Sequence, residues 1–212
     1  MLVKICGIKT VEAADAAVQA GADLIGVVFA PSKRQIPPDA AALITNTLPT
    51  HVKKVGVFVN ETIENMLQIA EMVGLDFIQL HGDEPAAIAE RLPYQIIKAF
   101  PVDRNKLLSI QDYPCDYYLL DSPIGGSRGG NGTTFDWDLT SSLSIDRKKV
   151  MLAGGLTPAN VQQAIKRVKP AGVDISSGVE TNGEKDFSKI KCFISNAKST
   201  RKDEQIDNIH NA

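Results

Sequence analysis

Lys149-Val150-Met151-Leu152-Ala153-Gly154-Gly155-Leu156 and Gly172-Val173-Asp174-Ile175-Ser176-Ser177-Gly178 repeat one pattern: a short apolar run that breaks into a turn of glycine or serine. Glycine lets backbone N–H groups come close to a ligand and permits the dihedrals that aim several of them at one point. A pair of such turns, one βα unit apart and last in the chain, reads as a cradle for a phosphate. Gly154, Gly155, Ser176, Ser177 and Gly178 are the residues expected to line it.

Outward from that pair, short β-rich runs recur along the whole chain. They are Leu2–Cys6, Leu24–Phe29, Lys54–Val59, Phe77–Leu80, Gln95–Phe100, Tyr117–Leu120, Lys149–Ala153 and Val173–Ser176. Helical patterns fall between most of them. Val11–Ala20 is alanine-rich and stops at Gly21, a residue suited to C′. Pro38–Leu48 opens on prolines that fit a first turn. Thr62–Val73 has an N-cap threonine, apolar residues at helical spacing and Gly74 as its stop. Pro85–Arg91, Pro158–Val168 and Ser188–Lys198 repeat the logic, with weaker patterns near Lys106–Gln111 and Leu139–Leu143.

Short buried strands alternating with helices predict a parallel sheet covered by helices. Eight units predict closure into a single (β/α)8 TIM barrel, and the first turn, Cys6-Gly7-Ile8-Lys9, lacks the GxGxxG of an open dinucleotide-binding sheet. Such barrels place phosphate sites after strands 7 and 8, where the two glycine-serine turns fall. Residues 1–199 are expected to form the barrel domain and 200–212 a polar, fraying tail.

Composition excludes several classes. Of 212 residues 43% are hydrophobic and 23% charged, with a net charge of −2, so no basic footprint for nucleic acid is present. The longest apolar run, Leu24–Ala30, is too short for a bilayer, and the start lacks a signal-peptide stretch, so a cytoplasmic protein without membrane partners is expected. Three scattered cysteines, Cys6, Cys115 and Cys192, fit neither a disulfide framework nor a metal site. With no apolar patch identifiable, a monomer is the default and a homodimer stays open.

A barrel of this kind works at the C-terminal ends of its strands. Strand 1 ends in Cys6, and alternation puts Lys4 and Cys6 on one face, opposite Val3 and Ile5. The polar pair should face the barrel interior. Strand 6 runs into Asp121, strand 8 carries Asp174 and Ser176 on one face, and strand 4 ends with Gln79 and His81 in the same parity. A lone strand-end cysteine is also a common buried hydrophobe, a lone aspartate a common turn residue, and His81 an ordinary rim residue. Lys4 is costly to bury alone and calls for a carboxylate such as Asp174. The loop after strand 2 offers Arg34, whose guanidinium suits a carboxylate.

Taken in order, the stretches Val3-Lys4-Ile5-Cys6-Gly7-Ile8, Gly21-Ala22-Asp23, Gly26–Phe29, Ser32-Lys33-Arg34, Val55–Asn60, Gln79-Leu80-His81-Gly82, Leu119-Leu120-Asp121, Gly129–Trp137, Leu152–Leu156 and Val173–Glu180 resemble the phosphoribosylanthranilate isomerases of tryptophan biosynthesis. The likeness runs from residue 3 to about residue 198. It implies a (β/α)8 barrel that converts N-(5-phosphoribosyl)anthranilate to 1-(2-carboxyphenylamino)-1-deoxyribulose 5-phosphate by an Amadori rearrangement, a small-molecule reaction with no cofactor and no metal. It further implies Cys6 as general base, Asp121 as general acid, Arg34 as holder of the anthranilate carboxylate and the two glycine turns as the phosphate grip. Lys4, His81 and Asp174 complete the expected substrate-binding set.

The chemistry agrees with these side-chain types. Ring opening needs a proton on the ribose ring oxygen, which Asp121 can give only while its carboxyl holds one; a water-poor cavity favours that. The iminium that follows makes the C2′ proton acidic. A Cys6 thiolate, favoured by that cation and by Lys4, is a suitable base. The glycine-rich segment Gly125–Gly132 is expected to act as a lid. Two other readings compete: another sugar-phosphate isomerase or epimerase, and a phosphosugar-binding barrel without activity. The first lacks its His/Asp or Glu/His set at the strand ends, and a mere binder would need neither Cys6 nor Asp121.

Overall fold

In a computed structural model of the chain the described residues are 1–102, 110, 112–122, 136–143 and 145–210, with residues 141–142 and 201–210 described by backbone alone. The strands are β1 (Leu2–Cys6), β2 (Leu24–Val28), β3 (Lys53–Phe58), β4 (Phe77–Leu80), β5 (Gln95–Pro101), β6 (Tyr117–Asp121), β7 (Val150–Leu152) and β8 (Gly172–Ile175). They pair in parallel in chain order and close, β8 lying beside β1 with Lys4 opposite Asp174. The helices are α1 (Val11–Ala20), α2 (Pro38–Thr45), α3 (Ile63–Val73), α4 (Ala86–Glu90), α5 (Val161–Val168) and α6 (Phe187–His210). A short hairpin, β9 (Glu180–Thr181) with β10 (Glu184–Lys185), follows β8.

The eight-stranded barrel expected from the repeat pattern is therefore present, with strand ends within about two residues of expectation. Most strands are buried on both faces. Leu24, Val55, Phe77, Ile97, Leu119 and Met151 fill the inside, while Val3, Ile5, Ile25, Val27, Ile78 and Leu120 pack outward against the helices. This double burial is why the strands read as unbroken apolar runs.

The helix signals act where the sequence placed them. Thr62 accepts a hydrogen bond from Asn65 N at 3.3 Å, and Gly21 and Gly74 close α1 and α3 at φ 99° and 66°. Pro158 does not open α5 directly. Thr157 and Asn160 instead exchange side-chain-to-backbone bonds of 2.8 and 3.3 Å across one turn, and α5 begins at Val161. The weak pattern near Leu139–Leu143 is a 3₁₀ helix, Trp137–Ser142. Most of the Lys106–Gln111 pattern and the whole Gly125–Gly132 segment lie outside the described residues. Backbone helicity in α6 continues to His210, into the stretch read as a tail.

One buried ion pair holds the turn below the barrel mouth after β4. Lys98 Nζ lies 2.9 Å from Glu84 Oε2 and donates to Gly82 O at 2.7 Å. Glu84 accepts from Asn60 N at 2.7 Å and from Gly82 N at 2.9 Å. Both side chains are almost fully buried. Lys98→Met is thus expected to strand a carboxylate and cost about 3–5 kcal/mol. The check is the urea midpoint; an unchanged midpoint would mean the pair carries no net stability.

Candidate active site

A cavity of about 800 Å³ opens at the C-terminal end of the barrel. Its lining includes Cys6, Arg34, His81, Asp121, Gly154, Gly155, Asp174, Ser176 and Ser177. Side chains from β1, β4, β6 and β8 thus meet in one space because every strand is parallel and ends at the same rim. Gln79 is in the lining as well, although sequence reading gave it only a parity. Gly178 sits just beneath, where a Cβ would run into the carbonyl of Leu156.

Inside the barrel Lys4 is fully buried and its Nζ lies 2.9 Å from Asp174 Oδ1, the partner that burial demanded. Burial pushes the Lys4 ammonium down, but the Asp174 carboxylate and the neighbouring Cys6 outweigh it and hold it above its ordinary value. For Cys6 the balance goes the other way. Burial pushes its thiol up, Lys4 opposes this, and Asp174 adds to the upward push. Lys4 thus favours a thiolate at Cys6, as expected, while burial and Asp174 oppose it.

Across the mouth, Asp121 Oδ1 accepts from Ser122 N at 2.8 Å. Its Oδ2 is 3.4 Å from His81 Nε2, and His81 Nδ1 is 2.8 Å from Gln79 Nε2. Gly154, at φ 75°, lets the β7 loop pass close to Asp121; a Cβ there would collide with Ser122 and lie 3.0 Å from Asp121 Oδ1. Among the described residues, none of the backbone hydrogen bonds outside the regular elements uses the N–H of Gly154, Gly155 or Ser176. Those groups are placed on the rim of the cavity, as a phosphate grip requires.

Arg34 reaches the cavity over Gly7, whose φ of 72° and missing Cβ leave room for the arginine stem. Its guanidinium makes the bidentate contact foreseen from its geometry, but with Glu180: Nε to Oε1 at 2.6 Å and Nη2 to Oε2 at 2.9 Å. Glu180 also pairs with Lys185 at 2.9 Å, and Lys185 donates to Ser176 O at 2.9 Å. Burial pushes Glu180 up, yet the bonds from Arg34 and Lys185 hold it below the usual carboxylate range. Burial lowers Lys185. Sequence reading assigned no role to either residue. Glu180 closes the Val173–Glu180 stretch and so had a signal; Lys185 had none.

Side chains and turns from several strand ends around one cavity at the C-terminal rim are the arrangement of a (β/α)8 enzyme acting on a small molecule. Residues 3–196 match the family described as N-(5'phosphoribosyl)anthranilate (PRA) isomerase. The N-(5'-phosphoribosyl)anthranilate isomerase of Listeria monocytogenes serotype 4a is 53% identical over 199 residues, 93% of this chain and 98% of the relative. That of Oceanobacillus iheyensis is 52% identical over 204 residues, 96% and 98%. Among solved structures, the enzyme of Thermotoga maritima superposes with a TM-score of 0.83 at 42% identity, covering 94% of this chain and all of that one. A phosphoribosyl anthranilate isomerase in complex with reduced 1-(o-carboxyphenylamino)-1-deoxyribulose 5-phosphate gives 0.81 at 41% identity, with 94% and 100% covered. The chain belongs to the PRA isomerase family and is an isomerase.

Proposed function

We propose that this chain performs the Amadori rearrangement of N-(5-phosphoribosyl)anthranilate to 1-(2-carboxyphenylamino)-1-deoxyribulose 5-phosphate, a step of tryptophan biosynthesis. The observation that carries the reading is that Cys6 and Asp121 border one cavity from β1 and β6. Asp121 gives a proton to the ring oxygen while the anthranilate nitrogen drives C–O cleavage, which leaves an iminium. Cys6, as the thiolate, then takes the C2′ proton. The iminium it faces and the neighbouring Lys4 both favour that charge. The enolamine collapses to the ketone as C1′ gains a proton and the 2′-hydroxyl loses one, so acid and base return to their starting forms.

Positioning comes from the two ends. The amides of Gly154, Gly155 and Ser176 take the phosphate, with Ser177 and Gly178 shaping the loop. Arg34, braced by Glu180, turns the rest of its guanidinium to the anthranilate carboxylate. Lys4 and Asp174 form the charged floor beneath Cys6. The finer expectations of a phosphoribosyl substrate, a monomer and a cytoplasmic setting belong to this same reading.

The test is direct: purified protein is mixed with N-(5-phosphoribosyl)anthranilate and the loss of anthranilate-ribose fluorescence is followed. No loss at micromolar enzyme would overturn the reading. Arg34→Ala should raise KM by about 10-fold or more, since a hydrogen bond to a charged group contributes about 1.5–3 kcal/mol, with kcat less affected. An unchanged KM would remove Arg34 from the carboxylate grip.

A further inference from the structure

Lys185 takes no part in the reaction described above, yet its side chain is only 6% exposed. A buried ammonium is costly unless it is paired and hydrogen-bonded, so its placement calls for a reason. A tight hairpin delivers it. Asn182 and Gly183 take φ of 53° and 86°, the positive dihedrals of a two-residue turn that fits the twist of paired strands. That turn sets Lys185 directly opposite Glu180. Glu180 Oε1 accepts from Lys185 Nζ at 2.9 Å, and its charge opposes the downward push of burial on the ammonium.

The same Nζ donates to Ser176 O at 2.9 Å and to Ser176 Oγ at 3.4 Å. Ser176 Oγ in turn donates to Cys6 O at 3.1 Å, which ties the turn after β8 to the end of β1. Lys185 is not part of the cavity lining. It borders a separate small hollow with Lys9, Thr10 and Phe187, and so reaches the Ser176 carbonyl from outside the cavity. The peptide bond turns this contact into a direction. The Ser176 carbonyl and the Ser177 N–H belong to one trans peptide, in which they point opposite ways. With the carbonyl held toward the hairpin, the N–H is turned toward the cavity that Ser177 lines. Among the described residues, none of the backbone hydrogen bonds outside the regular elements uses that N–H. A bond accepted by the carbonyl also polarises the peptide unit and strengthens its N–H as a donor.

We propose that Lys185 is a positioning residue of the phosphate grip: by holding the Ser176 carbonyl it fixes the Ser176–Ser177 peptide with its N–H offered to the phosphoryl group. It acts through the backbone and does not touch the ligand. Its removal leaves Glu180 with both bonds from Arg34, so the carboxylate grip at the other end stays in place. The proposal rests on the phosphate reading of this turn given above, and the experiment separates the two.

The experiment measures by calorimetry how the protein binds reduced 1-(o-carboxyphenylamino)-1-deoxyribulose 5-phosphate and the same molecule without its phosphate. The ratio of the two Kd values is the phosphate preference. Lys185→Met fills the space of the lysine stem without a donor. It should lower the preference about tenfold, the loss of one strong hydrogen bond, while the dephosphorylated ligand binds within about twofold of wild type. Steady-state kinetics should agree, with KM raised more than kcat is lowered. Lys185→Gln keeps a neutral donor on a shorter stem; it should lower the preference about threefold, and it decides the matter if the methionine variant does not fold. An unchanged preference in the folded variant overturns the proposal. Equal weakening of both ligands overturns it as well, because a merely structural role would act on both alike. A wild type with no phosphate preference would sink this proposal and the phosphate reading together. A preference that falls in Lys185→Met, in a protein that does not isomerise N-(5-phosphoribosyl)anthranilate, would leave this claim standing and sink the functional reading instead.

Discussion

Cys6→Ser is expected to lower kcat by about 10²–10⁴-fold, the usual contribution of a general base. The serine hydroxyl fits the space of the thiol and keeps the strand intact, but it holds its proton far more tightly. Burial pushes the Cys6 thiol up while Lys4 opposes this, and the iminium opposite adds to what favours the thiolate. An oxygen in the same place lacks even that reserve near pH 7. The phosphate and carboxylate grips are untouched, so KM should change little. Fluorescence assays of kcat and KM decide it: activity within about tenfold of wild type would move the base role to another residue, because that is less than a base contributes.

Asp121→Asn is expected to be comparably damaging, again about 10²–10⁴-fold in kcat. The amide keeps the size of the carboxyl, and its oxygen can still accept from Ser122 N, the bond that measures 2.8 Å in the native site. It has no acidic proton to deliver to the ring oxygen. Melting temperature should therefore stay close to wild type while turnover collapses, which separates loss of chemistry from loss of fold. An active asparagine variant would hand the acid role to His81, whose Nε2 is the nearest alternative at 3.4 Å.

Much of this site could be read along the chain because strands report it locally. Two-residue alternation puts Lys4 and Cys6 inward and Val3 and Ile5 outward, and the contacts agree: Val3 and Ile5 join the core under the helices, Lys4 pairs with Asp174 and Cys6 lines the cavity. The cost of a buried ammonium named Asp174 before any contact was known. Glycine placement marked both the helix stops at Gly21 and Gly74 and the turn at Gly154, since each needs a positive φ. Pro85 stands directly before α4, whereas Pro158 was less decisive: the Thr157–Asn160 turn intervenes and α5 begins at Val161.

Other features depend on pieces of chain that meet only after closure. Arg34 was expected to grip a ligand with its full fork, yet Glu180, 146 residues away, already takes Nε and Nη2. Lys185 had no sequence signal because its neighbours are polar and its burial comes from the hairpin folding back on Ser176. The charge on Cys6 depends on a sum of burial, Lys4 and Asp174 that exists only in the assembled interior.

The sequence by itself determined the barrel, the rim that carries the site and the side chains offered there, because strand period, helix caps and glycine turns are encoded within a few residues of where they act. The tertiary structure alone decided which charges pair and which of them are buried together. Those outcomes follow from Coulomb and desolvation energies between groups on different strands, and such energies have no value until the sheet closes and water leaves.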